Sequence, residues 1–224
     1  MKTVDEIKQR IEQIRKGIPE DVEILCASKT RTLEEVRAAQ EAGLFTFGHN
    51  YVQEARAMIP LADFDAKWHM IGHLQSNKAK KAVRIFDMIE TVDSLKLAKA
   101  INKGCRDINK SIPILIEINS GEETQKAGVI PSDAVSLIKE ISELENVSIV
   151  GLMTMGPFSG DPEDARPYFE KTRRLFNDIE QADHPGIEMK HLSMGMSNSY
   201  RVALEEGANL VRIGTRIFGE RDYS

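Results

Sequence analysis

The chain is poor in cysteine, with Cys26 and Cys105 as its two thiols in 224 residues. They lie far apart and neither belongs to a CxxC pair, so a disulfide framework is excluded and a reducing compartment is expected. A basic balance is missing too. Lys and Arg number 30 against 35 Asp and Glu, a formal net charge of -5, which argues against a general nucleic-acid binder or a ligand of acidic membranes. The one local basic cluster, Lys78, Lys80, Lys81 and Arg84, reads as a solvated helix face. No apolar run is long enough to cross a bilayer, and Met1-Lys2-Thr3-Val4-Asp5-Glu6-Ile7 lacks the apolar stretch of a signal peptide. A cytoplasmic protein is expected, with neither nucleic acid nor membrane as partner.

What is present suits a sizeable core: 41% of residues are hydrophobic, and the length allows one large domain or two small ones. Strand-like and helix-like stretches alternate without a low-complexity linker or internal repeat, the pattern of an α/β fold. After an amphipathic helix carrying Ile7, Ile11 and Ile14, strands are predicted at 22–28, 45–50, 68–72, 88–92, 112–119, 147–155, 191–196 and 210–215. Thr32 with Glu35 forms a capping-box pattern, Gly43 ends that helix, and Asp161-Pro162 marks another helix start. Eight βα units in this length predict a compact (β/α)8 barrel, a TIM barrel spanning residues 1–224 as a single domain; a doubly wound open sheet gives a similar alternation.

Parity within the strands favours the barrel. With Val211 and Ile213 turned toward the helices, Leu210, Arg212 and Gly214 face inward. The first strand turns Val22, Ile24 and Cys26 outward and Leu25, Ala27 and Lys29 inward. In the fifth, Ile112, Ile114, Ile116 and Ile118 share the outer face, leaving Leu115, Glu117 and Asn119 inside. Inward Lys29, Glu117, Asn119 and Arg212 describe a polar ligand site, or else a buried ion-pair network.

Lys29 carries the most information. A lysine at the carboxyl end of a buried strand is desolvated, which lowers its pKa and frees the amine to attack a carbonyl; the other account is a lysine snorkelling to solvent. The segment His191-Leu192-Ser193-Met194-Gly195-Met196-Ser197-Asn198-Ser199 leads into a helix predicted from Asn198 or Ser199 to Glu206, stopped by Gly207. Its hydroxyls and amides suit an anion or ordinary capping. Phosphate sites in barrels often follow strands seven and eight, where Gly214-Thr215 also falls. An amine and a phosphate cradle at neighbouring strand ends are what a phosphorylated aldehyde requires. His69 and His73 stand four apart without an evident third ligand, so no metal site is predicted, and His73 is assigned to the ligand side. Asn50 closes the second strand on the inward side, suited to a ligand or to a turn.

At these residues the chain resembles the pyridoxal phosphate homeostasis (YggS/PROSC) family, related to the barrel domain of alanine racemase. The resemblance spans nearly the whole chain through Ala27-Ser28-Lys29-Thr30, Phe47-Gly48-His49-Asn50-Tyr51-Val52-Gln53-Glu54, Trp68 through Lys78, Ser193-Met194-Gly195-Met196-Ser197 and Val211-Arg212-Ile213-Gly214-Thr215. It implies pyridoxal 5′-phosphate (PLP) held as a Schiff base on Lys29, Arg212 facing the pyridine nitrogen, Asn50 near the ring, and Ser193, Met194, Ser197, Gly214 and Thr215 around the phosphate. Two positions depart from the family pattern: His49 stands where a glutamate is usual, and Ser199 where an acidic residue is usual.

An always-charged arginine at the ring nitrogen disfavours a proton there and weakens carbanion chemistry. The chain also ends at Ser224, soon after its eighth strand, leaving no room for the second domain of a racemase. The expectation is therefore a monomeric, non-catalytic PLP carrier acting in vitamin B6 and amino-acid homeostasis, with apo PLP-dependent enzymes as partners. The alternatives are a PLP-dependent amino-acid racemase or lyase, and an aldolase-like barrel whose lysine engages a phosphorylated substrate directly.

Overall fold

The computed structural model describes residues 3–157, 160–182 and 184–220. Parallel strands β1 (Glu23–Ala27), β2 (Thr46–His49), β3 (Lys67–Met70), β4 (Met88–Val92), β5 (Ile112–Ile118), β6 (Val147–Thr154), β7 (Ile187–Met196) and β8 (Leu210–Ile213) pair in sequence order, and β8 closes onto β1 through Leu25↔Arg212. This is the barrel, not the open sheet. Helix α1 (Val4–Arg15) precedes it, with Ile7, Ile11 and Ile14 buried. Around the strands lie α2 (Leu33–Glu41), α3 (Val52–Met58), the single turn α4 (Ala79–Ala82), α5 (Leu95–Arg106), α6 (Pro131–Ser142), α7 (Arg166–Gln181), α8 (Tyr200–Glu205) and the short α9 (Thr215–Phe218). None of the helices described is long and apolar enough to cross a membrane.

The capping signals act as their chemistry requires. Thr32 Oγ1 accepts from Glu35 N while Glu35 accepts from Thr32 N, satisfying two donors that the first turn of α2 leaves unpaired. Asp161 caps a 3-10 turn, Pro162–Ala165, that runs directly into α7. The predicted strands are mostly a residue or two long at their ends. The largest difference is at β7, which begins at Ile187; β3 and β8 each stop two residues early, β8 because Thr215 already starts α9.

Strand parity sorts the core into two bodies. Cys26, Phe47, Ile89, Ile114, Ile116, Met194, Val211 and Ile213 face outward into the large cluster shared with the helices. Leu25, Ile71, Met88, Leu115, Val150, Met153 and Leu210 form a smaller cluster inside the barrel, with Ala27 against it. Polar residues share the interior with that cluster: Met153 is in register with Glu117 and Ser193, and Leu25 with Arg212. Both cysteines are buried and unbridged, and burial pushes both thiols above their ordinary range, so neither is a ready nucleophile.

Candidate functional site

The carboxyl ends of the strands make the barrel mouth. Lys29 lies two residues beyond β1 and is half-buried. Its loop is pinned on both sides. Ser28 bonds the Gly48 carbonyl through both its amide (2.9 Å) and its hydroxyl (3.1 Å), while Arg31 donates to the Gly219 carbonyl at 2.8 Å and stands over the Phe218 ring. Between them Thr30 adopts φ 62, a left-handed conformation that is unfavourable for a β-branched residue and persists only where surrounding contacts impose it.

On the adjoining side, the turn after β7 meets the start of α9. Ser197 Oγ accepts from Gly214 N (3.2 Å) and Arg216 N (3.4 Å), and Arg216 Nε donates to the Ser197 carbonyl at 2.7 Å. Two amides thus converge on one hydroxyl oxygen. A Cβ at Gly214 would lie 3.2 Å from the Ala27 carbonyl oxygen, so the glycine lets this turn approach the lysine-bearing strand closely. Thr215, the first residue of α9, is exposed. Ser199 is occupied with its own turn, its hydroxyl accepting from Met196 N at 3.3 Å.

Beneath the mouth runs a buried polar network. Arg212 Nη1 donates to the Ser193 carbonyl (2.9 Å) and to Ser193 Oγ, and its Nη2 to the Thr154 carbonyl (2.8 Å). Ser193 Oγ in turn donates to Glu90 Oε2 at 2.7 Å, and Glu90 Oε1 meets His69 Nδ1 at 2.8 Å. Burial pushes the Glu90 carboxyl up, but the bond and charge of His69, the charge of Arg212 and the Ser193 bond together hold it below its ordinary value. Glu117 fares differently. Its Oε2 is buried without a hydrogen-bond partner, and burial together with the Asp93 charge pushes its carboxyl up to about 7 against the pull of Arg212.

The candidate residues therefore divide. Lys29, Ser197, Gly214 and Thr215 gather at adjoining strand ends, and Arg212 lies inside the barrel below them. Asn50 is half-buried just past β2, its backbone against Gly72. His73 stands at the rim, largely exposed and 3.8 Å from Asp93. Ser193 and Met194 leave the group because neighbouring strand residues face opposite ways: the Ser193 hydroxyl is committed to Glu90 and Arg212, and the Met194 side chain packs in the outer core. Asn119, expected to face a ligand, spends its amide on its own loop, donating to the Glu123 and Lys126 carbonyls and accepting from Glu123 N. His49 is turned away from the mouth, stacked on Trp68 and 3.4 Å from Ser28 Oγ; burial lowers its pKa to about 4, so it is neutral at pH 7. No cluster of metal-ligating side chains occurs among the described residues.

Sequence reasoning missed Glu90, Thr154 and Asp93, and it considered His69 only as a metal ligand. A signal for Glu90 was present: it is the one charged residue in the apolar strand Met88–Val92, with the parity of inward Met88.

Residues 3–222 match the family model described as alanine racemase, N-terminal domain. A pyridoxal phosphate homeostasis protein from Aquifex aeolicus is 43% identical over 89% of this chain and 87% of its own length. The chain belongs to the pyridoxal phosphate homeostasis protein family. Among solved structures, PipY of Synechococcus elongatus without PLP superposes with a TM-score of 0.89 at 35% identity, covering 95% of this chain and 100% of PipY. The PLP-bound form of PipY gives 0.86 at 33% identity with the same coverage. The barrel and its mouth are thus a family framework, and the side chains described above are what this member places on it.

Proposed function

We propose that this chain binds PLP at the barrel mouth, covalently as a Schiff base on Lys29, and that it serves PLP and amino-acid homeostasis as a carrier in the cytoplasm. The observation that carries the reading is the convergence of the Gly214 and Arg216 amides on one oxygen at the strand end beside Ala27 and the Lys29 loop. Amides aimed at a single acceptor fit a phosphate oxygen in charge and direction, and an amine on the neighbouring strand fits the aldehyde of the same ligand. PipY, similar over nearly all of this chain, has been solved with PLP bound.

In this reading Ser197, Gly214 and Thr215, with nearby backbone, hold the phosphate. Asn50 and His73 border the ring from the side of β2 and β3. Arg212 faces the ring nitrogen, and Ser193 acts through Arg212 by fixing its guanidinium. PLP, when bound, supplies an electron sink for reactions at an amino-acid α-carbon. Arg212 works against that use, since its permanent charge disfavours a proton on any basic nitrogen it faces. The chain's contribution is then to hold and release the cofactor, with apo PLP-dependent enzymes as recipients.

Adding PLP to the purified protein should produce a visible imine band. Borohydride reduction and peptide mapping should place the label on Lys29, and Lys29→Ala should abolish both signals while the circular dichroism spectrum is unchanged. A label on another lysine, or trapping that survives in Lys29→Ala, would refute the assignment. Pyridoxal, which lacks the phosphate, should bind far more weakly than PLP; equal affinity would remove the phosphate cradle from the reading.

A further inference from the structure

Glu117 is the penultimate residue of β5 and faces the barrel interior, in register with Met153 of β6. It is 4% exposed, and its Oε2 is buried with no hydrogen-bond partner. A buried carboxylate oxygen without a partner has lost its water and gained nothing in exchange, so the position is poorly explained as architecture. Among the charged groups acting on it, Asp93, just beyond β4, raises its proton affinity, and Arg212 of β8 lowers it; Lys29, beyond β1, and His73 are the other titratable groups at this mouth. Asp93 is itself 3.8 Å from His73 at the rim. Arg212 can do little more, because Ser193 and the Thr154 carbonyl hold its guanidinium and Glu90 lies 4.0 Å away.

We infer that Glu117 couples occupancy of the mouth to proton uptake: an anionic, phosphate-bearing ligand enters with a proton on this carboxyl, and loss of the proton loosens its hold. This rests on the reading of the mouth as a PLP site and adds a mode of regulation to it. An ionised Glu117 would set a second negative charge beside Asp93 in the path of an anion. A neutral Glu117 removes that charge and offers an O–H donor, which the ionised form lacks, to a ligand rich in acceptor oxygens. Burial and Asp93 place the free carboxyl at about 7, so the exchange falls in the neutral range.

The sign follows from linkage. Bound anion raises the Glu117 pKa further, so affinity is greatest below the free pKa, falls about tenfold per pH unit between the free and bound values, and levels off above the latter. The test uses pyridoxine 5′-phosphate, which keeps the ring and phosphate but has no aldehyde, so that Lys29 chemistry does not contribute. Calorimetric titrations from pH 6 to 9 on the full chain and on Glu117→Gln should show about a tenfold steeper loss of affinity in the former across that range, beyond the ligand's own ionisation common to both. Titrating the unmodified protein at pH 7.5 in buffers of different ionisation enthalpy should show proton uptake on binding, a readout independent of whether the variant folds. Parallel pH profiles, or proton release, would overturn the role of Glu117 while leaving the pocket intact. Failure of pyridoxine 5′-phosphate to bind at any pH would overturn the pocket reading, and this inference with it.

Discussion

Glu90 and Glu117 stand on neighbouring strands of one barrel, both face inward, and they are 0% and 4% exposed. For each, burial is the largest influence and favours the protonated acid. Yet Glu90 is held below the ordinary carboxylate range and Glu117 is raised to about 7. The difference lies in partners. Glu90 has His69 on one oxygen and Ser193 on the other, with Arg212 behind; Glu117 has an unpartnered Oε2, the like charge of Asp93, and a share of the same arginine. A buried carboxylate whose oxygens are fully engaged is architecture, whereas one with an oxygen left unpartnered at the barrel mouth is available to whatever enters.

The largest effect expected from this contrast is at Glu90. Glu90→Gln keeps the shape but leaves Arg212 buried without its nearest counter-charge, and removing one member of a buried charge set costs about 3–5 kcal/mol. Urea denaturation at pH 7 measures it. A loss under about 1 kcal/mol would mean that the network does not depend on the Glu90 charge.

Glu117→Gln should act in the opposite direction and only over part of the pH range. In the folded chain the Glu117 carboxyl is raised from its ordinary 4.5 to about 7, so the native chain keeps a proton that the unfolded chain has lost. Its contribution to stability therefore declines as pH rises from about 4.5 to about 7 and is constant above. The amide variant escapes that decline. It should match the parent at pH 4.5 and exceed it at pH 8 by up to about 3 kcal/mol, since each tenfold gain in proton affinity is worth about 1.4 kcal/mol. Denaturation midpoints at pH 4.5, 6 and 8 decide the matter. A pH-independent gap between the two proteins would place the effect in packing and end the contrast with Glu90.

The barrel was legible because its signals are local and periodic: alternating apolar residues in Ile112–Ile118, the Thr32 and Glu35 capping box, and the inward parity of Leu25, Ala27 and Lys29 all follow from backbone geometry that any strand or helix start must obey. Parity also carried Arg212 to the inner side. It stopped short where a side chain's fate depends on what meets it from elsewhere. Asn119 shares the inward parity of Glu117, yet the carbonyls of Glu123 and Lys126 take its amide. Ser193 reads as a phosphate hydroxyl beside Ser197, yet Glu90, 103 residues away, claims it. No local pattern encodes such a meeting; strand order and closure create it.

Ser193→Ala gives the smallest effect and sharpens the account of Glu90. The substitution removes the hydroxyl that donates to Glu90 at 2.7 Å and accepts from Arg212 Nη1. Arg212 keeps the Ser193 carbonyl at 2.9 Å and the Thr154 carbonyl at 2.8 Å, and Glu90 keeps His69 at 2.8 Å. What is lost is one link between charged groups whose other bonds persist, so about 1–2 kcal/mol is expected in urea denaturation, well below the Glu90→Gln loss. The ranking follows from the causes of the low Glu90 pKa, among which the Ser193 bond ranks below the contributions of His69 and Arg212. A loss as large as that of Glu90→Gln would make the hydroxyl, rather than the charges around it, the element that keeps Glu90 ionised, and the contrast with Glu117 would then turn on a single hydrogen bond.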